Sequence, residues 1–139
     1  MSFLDDLANH MADMPGQDLA IYPMQFPSDI INCVGLFPSG GGVGGNIGIG
    51  PSYFSDQGEV NAFDYPGAQV QVRYTNPYDA YAICETIRLW LDMNPPTGYL
   101  MVKVNRSQPD DLTNNADLEM SGGPVYRFSC DFSFIKVRE

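Results

Sequence analysis

Histidine and tryptophan each occur once in this chain, cysteine three times, and seven basic residues face seventeen acidic ones. Each scarcity removes a class of chemistry. His10 is the only imidazole available to a Cys-His or Ser-His pair, it sits in an N-terminal helical pattern, and no nucleophile signature surrounds any cysteine. Cys33, Cys84 and Cys130 lie far apart without a C-x-x-C pair, and their odd number cannot close a disulfide framework. Structural zinc needs four Cys/His ligands, with two close pairs, so the three cysteines read as buried thiols and no metal or cofactor is expected. The shortage of Lys and Arg leaves a net charge of −10, which repels phosphate backbones, so specific nucleic-acid binding is not expected. Long apolar runs are missing too, which predicts no membrane span, and the acidic start of the chain lacks the basic region of a targeting segment. The expectation is a soluble, cytoplasmic protein.

What the chain does contain is apolar material for a core: 44% hydrophobic residues, with eight Phe and eight Tyr. That is too much for a disordered chain, and the 139 residues suit a single domain, 1–139. Ser2 and Asp5 can cap a first helix over 3–14, in which Leu4, Leu7, Ala8 and Met11 recur at helical spacing before Pro15 and Gly16. Apolar runs Leu19 to Met24 and Ile30 to Phe37 predict two short strands joined by a turn at Pro27, Ser28 and Asp29. Val70, Val72 and Tyr74 alternate with Gln69, Gln71 and Arg73 in a third strand. Asn76, Pro77 and Asp79 then start a second helix, whose stripe of Ala80, Ile83, Cys84, Ile87, Trp90 and Leu91 faces a sheet. A strand at Leu100 to Val104 follows, which suggests a parallel crossover, and the last strand sets Tyr126, Phe128, Cys130, Phe132 and Phe134 against Arg127, Ser129, Asp131 and Ser133. The predicted fold is α+β: a mixed sheet with two helices packed on it, the last strand central.

Two segments interrupt this pattern. Residues 38–67 form a long Gly-rich insertion carrying Asp56, Glu59 and Asp64 and no basic residue. It reads as a protruding hairpin, through Ile47 to Ile49 and Tyr53 to Phe54, or as a loop that orders on a partner. Residues 105–123 form a second acidic loop with Asp110, Asp111, Asp117 and Glu119. Neither makes a catalytic site. Gly40, Gly42 and Gly45 satisfy G-x-G-x-x-G, but the β-like Ile47 to Ile49 and Pro51 stand where a dinucleotide site needs a helix. In the calcium-loop pattern Ala116 and Gly122 stand where Gly and Glu are required. An enzyme would have to use a cryptic carboxylate pair such as Asp110 and Asp111, with no visible means of activation. The chain is expected not to be an enzyme.

The two acidic segments hold −6 of the −10 net charge, whereas every basic residue but Arg106 falls on a predicted strand or on the second helix. Acidic loops on a compact scaffold suit a basic partner, or the wall of a channel that DNA crosses without sticking. Arg73, Lys103 and Arg127 are the candidate basic residues of a subunit interface, and Gly40, Gly41, Gly42, Gly44 and Gly45 a candidate assembly loop.

Four segments, "FLDDLANHM", "NCVGLF" leading into the Gly-rich stretch, "YPGAQVQVRYTNPYDAYAICETIRLWL" and "YRFSCDFSFIKV", together resemble the phage minor capsid and tail-terminator (tail completion) family. The third is the most telling: a Pro-Gly before an alternating strand ending in Arg, then a Tyr/Ala-rich helix. The resemblance implies a tail-terminator-like α+β subunit of a homohexameric ring at the head-proximal end of a tail. Such a ring stops tail-tube growth and joins the tail to the head-tail connector. Its partners would be itself, the tail-tube protein and a connector or neck protein, with no membrane and no specific nucleic acid. Its location would be the tail-neck junction of the virion, and the host cytoplasm during assembly. Asp56, Glu59 and Asp64, or Asp110, Asp111, Asp117 and Glu119, become candidates for facing the lumen or a partner. The length and glycine content of residues 38–50 depart from the family pattern and leave open whether that loop meets the lumen, a neighbour or the tube. The alternative is an acidic binding module that mimics nucleic acid on a basic partner.

Overall fold

Alternating residues from Tyr126 to Val137 form the long strand β7, and the sheet is assembled on both of its edges. The computed structural model describes residues 3–27, 31–39, 63–104 and 108–137. On one edge, β3 (Phe63–Asp64) and β4 (Gly67–Tyr74) run antiparallel to β7, with Asp64 opposite Lys136, Gly67 opposite Ser133 and Tyr74 opposite Tyr126. The partners advance in step across the break, so β3 and β4 share one register. Pro66 has no N–H to give to the ladder, but its carbonyl accepts from the Phe134 N–H at 2.9 Å. On the other edge β7 pairs antiparallel with β5 (Tyr99–Val104) and β6 (Asp110–Asp111). Beyond β4 lies antiparallel β2 (Cys33–Ser39), and then β1 (Ala20–Pro23), parallel to β2.

Two helices cover one face of this mixed sheet. In α1 (Phe3–Ala12) the buried residues are Leu4, Leu7 and Met11, and in α2 (Pro77–Met93) they are Ala80, Cys84, Ile87 and Leu91, both sets at the three-and-four spacing of one helical face. They meet alternate residues of four strands: Val34 and Leu36, Ala68, Val70 and Val72, Val102, and Cys130, Phe132 and Phe134. The start of α2 is fixed locally, since the Asn76 side chain accepts from the N–H groups of Tyr78 (2.9 Å) and Asp79 (3.2 Å), with Pro77 in the first turn. At the other end His10 donates from Nε2 to the Asn94 carbonyl at 2.6 Å and stacks 4.8 Å from Trp90, lashing α1 to α2.

Several expectations change. The first helix ends at Ala12, and Asp13 to Gly16 form turns, Gly16 at φ +78°. The first two strands run parallel, a direction that periodicity does not carry, and Ser28 and Asp29 of the expected turn lie outside the described residues. Strands β4 and β5 are parallel to each other, but β7 lies between them, so α2 crosses over the central strand. Residues 108–123, expected as loop, contain β6 and a third, short helix, α3 (Asn115–Leu118). The hairpin expected within 47–54 lies outside the described residues.

All three cysteines are free and buried. Cys84 and Cys130 meet across the α2–β7 interface with sulfurs 3.3 Å apart. That contact and burial together push the Cys84 thiol well above its ordinary range, and burial, opposed by Arg73, raises Cys33. A thiol whose pKa rises on folding stabilises the fold fully below its unfolded value of 9.0, and the contribution is lost as pH climbs beyond it. Urea midpoints measured across this range should therefore fall above pH 9.0, and fall less in Cys84→Ala. The fully buried Phe132 provides a second check: Phe132→Ala should lower the unfolding free energy by about 3–5 kcal/mol in urea titrations.

Candidate functional site

The face of the sheet away from the helices is polar. Strand β4 places Gln69, Gln71 and Arg73 there, and β7 places Asp131, Ser129 and Arg127 directly opposite them in the register. Two arginines facing each other repel, and the chain answers each separately. Arg73, 7% exposed, donates from Nε to the Ile31 carbonyl (3.2 Å) and from a terminal nitrogen to the Pro27 carbonyl (2.5 Å), and lies 4.7 Å over the Phe26 ring. It thereby ties the β1–β2 connection onto the sheet. Arg127 donates from Nε to Asp117 Oδ2 at 2.8 Å and reaches Gln71 Oε1 at 3.4 Å.

Asp117 is presented to Arg127 by a local device. Asn114 caps α3 by accepting from the Asp117 N–H (2.9 Å), and Asp117 Oδ2 accepts in return from the Asn114 N–H (3.1 Å). One carboxylate oxygen thus closes the capping box and the ion pair. The Val125 N–H donates to the Asp117 carbonyl at 3.0 Å, and Thr113 exchanges hydrogen bonds with the Arg127 backbone, so the 112–125 arm is pinned to β7 at several points.

The candidate residues divide accordingly. Asp110 and Asp111 belong to an edge strand paired with Ser129 and Phe128, and Asp111 also accepts from the Thr113 N–H at 2.9 Å. Asp117 is buried and its charge is spent inside the fold, whereas Glu119, at the end of α3, is exposed. Asp64 stands at the far end of the β7 ladder, opposite Lys136. The structure does not bring Asp64 together with the 110–119 group in the ladder: the two pair with opposite ends and opposite edges of β7. Asp56, Glu59, Gly40, Gly41, Gly42, Gly44 and Gly45 lie outside the described residues. Of the candidate interface cations, Arg73 and Arg127 are engaged within the chain, and Lys103 is exposed on β5. Among the described residues no group of three or more His, Cys, Asp or Glu is gathered so as to hold a metal ion.

No family model, curated protein or solved structure matches this chain. Asp111, at the end of β6, and Glu119, on the 112–125 arm, are the exposed carboxylates of this segment. Sequence reasoning missed that 112–125 is an ordered arm. The signal was present in Asn114 and Asp117, spaced as a capping box.

The two kinds of carboxylate should behave differently on removal. Asp117→Ala should cost about 1–3 kcal/mol in urea unfolding, because Arg127 and the first turn of α3 lose their acceptor together. Glu119→Ala, at an exposed site, should stay within about 0.5 kcal/mol.

Proposed function

We propose that this chain is a structural virion protein, a tail terminator that forms a ring at the head-proximal end of a phage tail, stops tube growth and joins the tail to the connector. The observation that carries the reading is the correspondence between the resembling segments and the scaffold. "FLDDLANHM" is α1, "NCVGLF" leads through β2, the long third segment is β4 and α2, and the last is β7. These elements supply nearly the whole core cluster. The resemblance thus lies in the parts that make the core, and most of the net negative charge lies outside them.

In this reading the exposed Asp111, on β6, and Glu119, on the adjoining arm, give passing DNA a repelling surface, while Asp117 holds the arm in place. Lys103, on the outer side of β5, is the remaining basic candidate for contact between subunits. A repelling wall works through sign alone and needs no specific base or phosphate contact.

Electron microscopy of assembled particles, with the chain labelled, tests the reading. The expected outcome is a ring of this protein at the junction of tail and connector, with tails of uncontrolled length when the chain is missing. Finding it elsewhere in the particle, or only in a one-to-one complex with a basic DNA-binding protein, would overturn the proposal and favour the nucleic-acid mimic.

A further inference from the structure

Helix α2 exposes large apolar residues on the side that faces away from its own core, where Glu85 also lies, ion-paired to Arg88. Tyr78 is 85% exposed, Leu89 52% and Met93 81%, and with Ala82 they line the outward face at helical spacing. Beside this stripe runs a groove between α2 and the turn that follows α1. Met14, Pro15, Gly16, Gln17, Asp18 and Leu19 form one wall, and Ala82, Ile83 and Thr86 the other, around a cavity of about 190 Å³. Cavities of roughly 150 Å³ accept a benzene ring, so one large apolar side chain fits.

Among the described residues the charges at the rim are acidic. Asp18 lines the groove, and Asp79 stands one helical turn before Ile83 on the same side of α2. The only basic residue of α2, Arg88, lies on another side of the helix and is ion-paired to Glu85. A second copy of a chain with net charge −10 would bring like charge to this rim, whereas a cationic segment would meet complementary charge.

We propose that the groove between α2 and residues 14–19 is a docking site for a partner protein's segment in which a large apolar side chain is flanked by Lys or Arg. The apolar side chain fills the cavity against Met14, Leu19 and Ile83, and the flanking cations meet Asp18 and Asp79. The site lies on the helical layer, away from β6 and the arm with Asp111 and Glu119, so it stands or falls independently of the ring.

Synthetic peptides titrated into the ¹⁵N-labelled full chain test it. KKFLKK should shift the amide resonances of Leu19, Ala82, Ile83 and Thr86, and weaken as salt is added. EEFLEE should bind at least about tenfold more weakly, as should KKFLKK to Ala82→Arg, a variant at an exposed position that should keep the parent melting temperature. Asp18→Asn supplies a second variant if Ala82→Arg fails to fold, and should also weaken KKFLKK. Equal binding of the two peptides, shifts confined to other surfaces, or no binding of KKFLKK at millimolar concentration would overturn the proposal. So would self-association, seen in sedimentation and abolished by Ala82→Arg, because the groove would then belong to a second copy.

Discussion

Strand β7 hydrogen-bonds along both edges, and nearly everything else in the fold is placed by that fact. Its helix-facing residues Cys130, Phe132 and Phe134 form the floor on which α1 and α2 rest, while its other face carries the arginine that pins the 112–125 arm. Antiparallel pairing on both sides makes β4 and β5 parallel to each other, so their connection must pass over β7. That requirement explains α2: a helix crossing a strand lined with Phe and Cys needs a continuous apolar stripe, and Ala80, Cys84, Ile87 and Leu91 provide it.

The outer face follows a different logic. A sheet covered on one side by helices can leave its other side wet, but here that face carries two arginines in register, and each is satisfied by a segment folded back over the strands, which leaves Arg73 buried. The β1–β2 connection delivers carbonyls to Arg73, and the α3 arm delivers a carboxylate to Arg127. Cross-strand repulsion is thus converted into two tethers that close the sheet's polar side. Gly35 belongs to the first of them: a Cβ there would stand 2.8 Å from the Phe37 ring and 3.0 Å from Phe26, the ring beneath Arg73.

Periodicity made much of this legible. The alternation from Tyr126 and the stripe from Ala80 to Leu91 identified the central strand and the main helix, because each buries one regular face, and Asn76-Pro77 marked the boundary between β4 and α2. What could not be read was direction and partnership. The parallel pairing of β1 with β2 and the insertion of β7 between β4 and β5 depend on contacts between distant residues, to which a local pattern is blind. The acidic residues of 110–119 looked alike in sequence, and only their surroundings separate Asp117, spent on Arg127, from exposed Glu119. The groove beside α2 was hidden for the same reason, since its walls come from segments some sixty residues apart.

The position of β7 between two strands that precede it in the chain also shapes how the sheet can form. Until β7 is in place, β4 and β5 have a gap between them, each with an open edge, and α2 has no floor for Cys84 to meet. The pairings that fill the gap join Tyr74 to Tyr126 and Gly67 to Ser133, so loop closure must precede the reward of burial. Folding should consequently be governed by capture of the last strand, and the interval before capture is when strand edges are most open to pairing with another chain. The rate at which one strand finds its slot therefore sets how much of the chain folds before its open edges meet another copy.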